Sequence, residues 1–502
     1  MDIDNARCVA VVGAGAAGTL TAARLLAEAG RRGIGLDIRL VDPASSVGRG
    51  VAYSTEVATH LLNVRAGAMS AYPEEPDHFL RWLANEGGHP ETAADDFVPR
   101  GWYGRYLGAV LETAARNSSA ARLRRVGERV AGVERTGAGA TLTLASGRPL
   151  YADAVVLALG NVPPGCDWAP AGLRSAPGFV ADPWDGDALD QVPPDADVLL
   201  VGTGLTMVDV ALVLARPGRV VHAVSRHGLV PRAHTEGYPA SLAAPVPPAA
   251  RDLDPDLALA VDTDAALDLD RLRRLVRCQV SRSRRRHGDW RPGIDGLRPF
   301  TAALWQRLSE DDRLRLLRED LRDWEVHRHR MPPRSASALD EARAAGQLRI
   351  GPGEVADVSA HGDRIRVSLV DGRVRDVAAV VNCTGSSADL RRLDDPLVAQ
   401  LLASGLARPG PAGLGFDTAA DGRLLAAADR GAAPLWTLGA LRRGNLLETT
   451  AVPEIRVQAR SVATAVVESL ERGRRRTAQR SSPAQCDPHD LRRSTTPEAT
   501  RL

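Results

Sequence analysis

The sequence predicts an α/β protein that contains two βαβ units and a mainly helical insertion. The first unit begins with the apolar strand Cys8–Val12, which leads into a glycine-rich turn and a helix with regularly spaced leucines. The same order of strand, glycine turn and helix returns at Val198–Val201. Residues 263–345 carry many charges, and their pattern predicts mainly helices. A buried strand that runs into a glycine turn is typical of a Rossmann-like domain, so we predict two of them.

Composition narrows the function classes. The 502 residues suffice for two or three domains. With 64 basic and 62 acidic residues, the net charge is only +2, which argues against a nucleic-acid-binding or membrane-surface protein. There is no lysine, so lysine chemistry is excluded and arginine must supply fixed positive charge. No apolar stretch approaches the roughly 18 residues of a membrane span. The short acidic start is unlike a signal peptide, so we predict a cytoplasmic protein.

The first glycine turn is a complete G-x-G-x-x-G between a strand and a helix. Gly13 permits the tight turn, Gly15 lets backbone N–H groups approach a pyrophosphate, and Gly18 lets the helix pack closely on the sheet. Asp42 ends the next strand, where a carboxylate can accept hydrogen bonds from a ribose. The predicted contacts to this dinucleotide are Gly13, Gly15, Ala16, Ala17, Gly18 and Asp42.

The second glycine turn is less complete, because Met207 stands where a third glycine would allow close helix packing. Its next strand ends in Ser225 and Arg226, and a hydroxyl beside a guanidinium suits a ribose 2′-phosphate, which favours NADPH over NADH. The predicted contacts are Gly202, Gly204, Leu205, Thr206, Ser225 and Arg226. The alternative is a degenerate unit kept as scaffold, with Arg226 as an ordinary surface residue.

Two dinucleotide sites in one chain predict a flavoenzyme in which NADPH reduces FAD at the N-terminal site. Asn63 follows the first βαβ unit and could offer its amide to the flavin, although an Asn that closes a turn explains it nearly as well. Arg442 precedes the last helix, which begins near Val452. The N-terminus of this helix could point at the flavin. No metal is predicted, because His327 and His329 lack further ligands at a suitable spacing.

Many short motifs, in the same order, resemble one flavoprotein family over roughly residues 8–470. They are residues 11–18, 50–54, 60–64, 68–70, 98–100, 103–107, 201–209, 225–226, 327–331, 382–385 and 448–458. The sequence is similar to the FAD/NAD(P)-binding family that includes flavin-dependent urate hydroxylases and nitrosuccinate-forming aspartate N-monooxygenases. This resemblance implies two dinucleotide-binding domains and NAD(P)H-driven oxygen activation.

The same resemblance implies further cofactor contacts. Gly160 and Gly439 end apolar strands that look like the interdomain crossing and the late strand of such flavoproteins, and Val452 begins the last helix. Two departures stand out. Gly439 is followed by Ala440 instead of the usual Asp, which puts a contact to the ribityl chain in doubt. The absence of lysine also differs from ornithine and lysine N-hydroxylases, which place a lysine in the active site.

The predicted domains are an FAD domain in two parts, 1–165 and 386–472, and an NAD(P)H domain over 166–385. The helical insertion is expected at about 232–345, and a disordered tail at 473–502. The expected partners are a small anionic substrate and O₂, without nucleic acid or membrane; a homo-oligomer is compatible with the sequence.

The predicted function is an FAD-dependent, NADPH-consuming monooxygenase that N-hydroxylates a small, Asp-like amino acid. Asn63 and Arg442 are its candidate catalytic residues, with Arg65, Arg442 or Arg443 as hypothetical clamps on an anionic substrate. Three alternatives remain open: hydroxylation of a urate-type heterocycle, an FAD-dependent oxidoreductase without oxygen transfer, and a flavin-binding sensor without enzymatic activity.

Overall fold

The structure, a computed structural model, describes residues 6–235, 253–262, 267–386, 389–390, 393, 395–427 and 433–481. Within these ranges the strands are β1 (Arg7–Val12), β2 (Leu36–Val41), β3 (Ala121–Val126), β4 (Val130–Thr136), β5 (Gly139–Leu144), β6 (Pro149–Ala152), β7 (Ala154–Leu157), β8 (Phe179–Val180), β9 (Val198–Val201), β10 (Val221–Ser225), β11 (Leu348–Pro352), β12 (Val355–His361), β13 (Arg364–Leu369), β14 (Val374–Val377), β15 (Ala379–Asn382) and β16 (Leu435–Thr437).

The α-helices of the same ranges are α1 (Ala16–Arg32), α2 (Gly50–Tyr53), α3 (His78–Asn85), α4 (Arg100–Asn117), α5 (Ala171–Arg174), α6 (Leu205–Leu214), α7 (Pro255–Asp262), α8 (Leu269–His287), α9 (Arg291–Asp295), α10 (Thr301–Arg307), α11 (Glu310–Glu319), α12 (Leu321–Arg328), α13 (Pro333–Ala344), α14 (Pro396–Ala403), α15 (Arg443–Leu446) and α16 (Val452–Ser481). None is both long enough and apolar enough to span a bilayer.

Two five-stranded parallel sheets form the centre of the molecule. Their strand orders are β16-β7-β1-β2-β3 and β11-β10-β9-β15-β8. Each sheet is accompanied by a three-stranded antiparallel sheet, β4-β5-β6 or β12-β13-β14, which precedes the return strand β7 or β15 along the chain. This arrangement confirms the predicted α/β fold. The internal repetition also extends beyond the two βαβ units to the antiparallel sheets and the return strands.

The first glycine of each turn is required by the same backbone contact in both halves. Gly13 has a φ of +101°, and a Cβ there would lie 2.3 Å from the carbonyl oxygen of Ala158, just after β7. Gly202 has a φ of +108°, and its Cβ would lie 2.2 Å from the carbonyl oxygen of Cys383, just after β15. Only glycine tolerates both the positive φ and this approach, so each turn is locked against its return strand.

The first sheet is buried on both faces. Helices α1, α4 and α16 cover one face, where Leu20, Leu25 and Leu26 of α1 are almost fully buried. The sheet β4-β5-β6 and helix α14 cover the other face. The short apolar strands β1 and β7 are therefore enclosed by protein, as their unbroken Val and Ala runs predict.

The helical insertion packs against the C-terminal part of the chain. Its core includes Leu257, Leu275 and Trp305. The Trp305 indole donates a hydrogen bond of 2.6 Å to the backbone oxygen of Gly444. Helix α13 lies within the predicted insertion but packs on α6 in the core of the second sheet. The insertion therefore ends before Pro333 and not near residue 345.

The predicted start of the disordered tail was also wrong. Helix α16 extends to Ser481, into the predicted disordered tail. Just before the predicted tail, Glu471 forms an ion pair of 3.0 Å with Arg32 of α1. Residues 482–502 of the predicted tail lie outside the described residues.

Candidate active site

The first glycine turn presents the features expected of an anion site. The N-cap of α1 is Gly15, without a side-chain capping hydrogen bond, so the first N–H groups of the helix remain available to a ligand. Asp42 lies beside the turn, and its Oδ2 accepts a hydrogen bond of 2.6 Å from the Ala14 amide. Gly15 also faces Gly50 at backbone contact, so the start of α2 forms a second wall of this site.

The other residues predicted to contact FAD differ in their surroundings. Gly160 and Gly439 have positive φ angles of +76° and +74°. A Cβ on Gly160 would meet no atom within 4 Å, and one on Gly439 would meet only the Ala17 Cβ at 4.0 Å, so both face open space. Val452 begins α16 with a buried side chain, which leaves only its backbone for ligand contact.

The second glycine turn repeats this geometry. Helix α6 begins after Gly204, again without a side-chain cap and without an acidic residue in its first turn. The Ser225 hydroxyl lies 2.7 Å from the Thr203 hydroxyl, which ties the end of β10 to the turn. Arg226 is exposed at the same edge. The predicted nicotinamide residues are therefore neighbours in space.

A cavity of about 970 Å³ connects this second turn with the C-terminal part of the first half. One end is lined by Gly202, Gly204, Leu205, Thr206, Ser225 and Arg226. The other end is lined by Asn63, Ala440, Leu441, Thr449, Thr450 and Ala451. Residues just before the N-terminus of α16 thus line the cavity.

Asn63 is the one predicted catalytic residue that lines this cavity. Its backbone oxygen lies 3.1 Å from the Nε2 atom of His234, which comes from the segment after β10. Burial and the nearby Arg330 lower the pKa of His234 to about 3, so its imidazole is neutral. His234 was not predicted, because it contacts Asn63 across 171 residues of chain and no local motif marks that contact.

Arg442, the other predicted catalytic residue, does not line the cavity. It is 4% exposed and donates hydrogen bonds to the backbone oxygens of Ala419 and Ala420, at 3.2 and 3.0 Å. Arg65 is likewise occupied, with hydrogen bonds to the backbone oxygens of Asp95 and Thr235. Both guanidiniums hold loops in place, which corrects their predicted role as substrate clamps. The neighbouring Arg443 does line the cavity.

Paired charges form the cavity wall that α12 and the 443–454 segment share. Arg443 lies 3.1 Å from Glu325, and Arg328 lies 3.1 Å from Glu448. The Trp324 indole also donates a hydrogen bond of 3.0 Å to Glu448. Because both signs of charge face the same space, the wall can bind an ammonium group and a carboxylate. Within the described residues, no group of three or more potential metal ligands occurs.

A buried ion pair connects the two halves on another side of the site. Asp209 of α6 lies 2.7 Å from the Arg100 guanidinium at the start of α4. Burial raises the pKa of the Asp209 carboxyl, while Arg100 opposes that shift. Both residues belong to motifs that carry the family resemblance, but their pairing could not be deduced from the sequence because they are distant along the chain.

This geometry agrees with a comparison of sequence families. Residues 10–162 match an FAD-NAD(P)-binding family. The match covers the second half of β1, the first glycine turn, Asp42, Asn63 and the return strand β7. None of the curated proteins compared with this chain by sequence resembles it significantly.

Solved structures with a similar fold include several N-hydroxylating flavoenzymes. An ornithine hydroxylase from Pseudomonas aeruginosa is 16% identical, with a TM-score of 0.61 over 93% of this chain and 100% of that one. An ornithine N-hydroxylase from Kutzneria sp. 744, solved with reduced FAD, NADP⁺ and L-ornithine, is 15% identical, with a TM-score of 0.56 over 92% and 99%. An L-lysine 6-monooxygenase from Pseudomonas syringae gives the same values.

At this level of identity the likeness shows the fold, which this chain shares with these hydroxylases over nearly its whole length. The narrower resemblance to urate hydroxylases and aspartate N-monooxygenases stays a prediction.

Proposed function

We propose that this protein is an FAD-dependent, NADPH-consuming monooxygenase that N-hydroxylates a small amino acid with an Asp-like negative charge. The observation that carries this proposal is the pair of equivalent glycine turns. One cavity extends from the second turn to Asn63 and Thr449. The family match of residues 10–162 supports FAD at the first turn.

The residues at the first turn fit FAD. The uncapped start of α1 offers N–H groups to the pyrophosphate, and Asp42 offers a carboxylate to the ribose. Gly160 and Gly439 leave room where the dinucleotide would continue toward the cavity. When bound, FAD would supply the redox chemistry, taking electrons from NADPH and passing them to O₂.

The chain's own contribution is to orient the reactants and to exclude water. Asn63 would direct its amide toward the flavin end of the cavity, where Leu441 and Leu447 provide an apolar lining. The N-terminus of α16 would favour negative charge at the same end. Glu454 in its first turn does not cancel this effect, because it is paired with Arg298.

The charged wall favours an amino-acid substrate over a urate-type heterocycle. A zwitterion needs a carboxylate for its ammonium group and an arginine for its carboxylate, and Glu325 with Arg443 supplies both. A planar heterocycle is usually held by aromatic stacking. Of the aromatic side chains, only Trp168, His227 and His329 line the described part of the cavity.

The proposal is tested first by anaerobic mixing of the FAD-loaded protein with NADPH. We expect loss of the oxidised flavin absorbance, and then, with O₂ and L-aspartate or a related amino acid, incorporation of isotopically labelled oxygen into the amine. Flavin reduction without oxygen incorporation for any amino acid or purine would identify an oxidoreductase that does not transfer oxygen. A flavin that neither NADPH nor NADH reduces would overturn the proposal and leave a sensor.

A further inference from the structure

The start of α6 is a positive end of a helix that faces the cavity. Gly204 is its N-cap and no side chain caps the first N–H groups. The 10-residue helix also has no acidic residue in its first turn to offset the helix dipole. Beside this end lies a second positive group, the guanidinium of Arg322, which comes from helix α12 of the insertion.

Arg322 reaches across to the second glycine turn. Its Nη2 donates hydrogen bonds to the backbone oxygens of Thr203, at 3.1 Å, and Leu229, at 2.7 Å. Its Nη1 lies 3.8 Å from the position that a Cβ on Gly204 would occupy. These hydrogen bonds hold the guanidinium at the mouth of the turn, and Arg322 is one of the residues that line the cavity.

The positive charge of Arg322 is poorly compensated by nearby carboxylates. The only carboxylate paired with Arg322 among the described residues is Glu325, at 3.9 Å. Glu325 is closer to Arg443, at 3.1 Å. Burial lowers the pKa of Arg322, which reflects the cost of holding its charge there. A helix N-terminus and a guanidinium are both positive, so an anion bound between them would be attracted by both and would offset their mutual repulsion.

We propose that Arg322 binds the pyrophosphate of the nicotinamide dinucleotide, so that the helical insertion supplies part of that site. This inference rests on the proposed function, which places NADPH at the second turn. Arg322 would act on the part of the molecule that NADPH and NADH share. Arg226, at the end of β10, would act on the 2′-phosphate that only NADPH carries.

The test measures the dissociation constants of NADP⁺ and NAD⁺ for the FAD-loaded protein by calorimetry. Loss of a charge-assisted hydrogen bond predicts that Arg322→Gln raises both constants by a similar factor, about 10- to 100-fold. Arg226→Gln should raise the constant for NADP⁺ alone. Arg322→Lys should recover part of the affinity, because it keeps the charge but loses the planar fork.

Arg318→Gln is the matched control, because Arg318 lines the same cavity but its side chain is 66% exposed. We expect it to change either constant less than about 2-fold. FAD content and melting temperature identify a variant that is misfolded. Unchanged affinities in a folded Arg322→Gln protein would overturn the inference and leave Arg322 a support for the turn. A wild-type protein that binds neither dinucleotide would instead overturn the proposed function.

Discussion

His234 is hydrogen-bonded through Nε2 to the backbone oxygen of Asn63, at 3.1 Å, and so connects the insertion side of the molecule to the flavin end of the cavity. On its other side, Arg330 donates from Nε to Nδ1 of His234, at 3.4 Å. This contact leaves the proton of the neutral imidazole on Nε2, where it can be donated to Asn63. Arg330 is itself held by Asp295 through hydrogen bonds of 2.9 and 2.7 Å.

Replacing His234 by Phe should therefore release Asn63 without emptying the site. The new ring can still pack on Phe97, as the imidazole does at a centroid distance of 4.9 Å. Loss of one hydrogen bond predicts a decrease of about 3- to 10-fold in hydroxylated product per NADPH consumed, with unchanged FAD content. Product and hydrogen peroxide are measured together. His361→Phe, at an exposed position that does not line the cavity, is the control. An unchanged product ratio in His234→Phe would contradict the prediction.

Acid should destabilise the protein through two neutral histidines. Burial and Arg330 lower the pKa of His234 to about 3, and burial and Arg328 lower that of His329 to about 4. Histidine in an unfolded chain has a pKa of about 6.5, so below that pH the unfolded chain binds more protons than the folded one. Above about pH 6.5 these two histidines should not change the free energy of unfolding with pH. Below that pH the free energy of unfolding should decrease toward pH 4.

Urea unfolding between those pH values measures this decrease, and His329→Phe should reduce its slope. The exposed His361 provides the comparison, because His361→Phe should keep the wild-type slope. If wild type and His329→Phe showed the same dependence of unfolding free energy on pH, this would contradict the lowered pKa of His329.

The ion pair between Arg328 and Glu448 should be far more important for stability than an exposed pair. Both side chains are nearly buried, with 11% and 9% of their surfaces exposed. Glu448→Gln leaves the guanidinium of Arg328 without its counter-charge, which predicts a loss of about 3–5 kcal/mol. Glu56→Gln breaks a pair in which the carboxylate is 68% exposed and should cost less than about 1 kcal/mol. Chemical denaturation gives both values, and equal losses would refute the argument.

Alanine at Gly13 should prevent FAD from being retained. The added Cβ would lie 2.3 Å from the Ala158 oxygen in a backbone with positive φ, so the turn must move. The flavin-to-protein absorbance ratio after purification measures the loss, which we expect to exceed about 10-fold. Gly30→Ala, in the same helix-turn unit, meets no atom within 4 Å and should instead stabilise the protein by about 0.5–1 kcal/mol. Full FAD content in a folded Gly13→Ala protein would contradict this prediction.

The adjacent arginines 442 and 443 should respond differently to replacement by Met. Arg442 is buried and donates hydrogen bonds to a loop, so its replacement should lower the melting temperature. Arg443 lines the cavity, so its loss should raise KM for an anionic amino acid by about 10-fold or more with little change in stability. Steady-state kinetics and thermal unfolding of both variants separate these effects. A large increase in KM in Arg442→Met alone would support Arg442, and not Arg443, as the clamp on an anionic substrate.

The sequence predicted features that depend on neighbouring residues and failed where contacts are distant along the chain. The two glycine turns follow from strands and glycines within a few residues of one another, and both were found. The sequence alone offers Arg65, Arg442 and Arg443 equally as substrate clamps. Whether Arg442 or Arg443 faces the cavity depends on Thr418 and Ala420, which no local pattern indicates. His234 and Arg322 were missed for the same reason, since their partners lie 171 and 119 residues away.

The position of Glu325 couples the binding of the two ligands. This carboxylate lies 3.1 Å from Arg443 at the proposed substrate end and 3.9 Å from Arg322 at the glycine turn. An anion that binds either arginine changes the electrostatic surroundings of the other through the same carboxylate. The two binding equilibria are therefore thermodynamically linked. If the amino acid changes the affinity for the dinucleotide by some factor, the dinucleotide must change the affinity for the amino acid by the same factor.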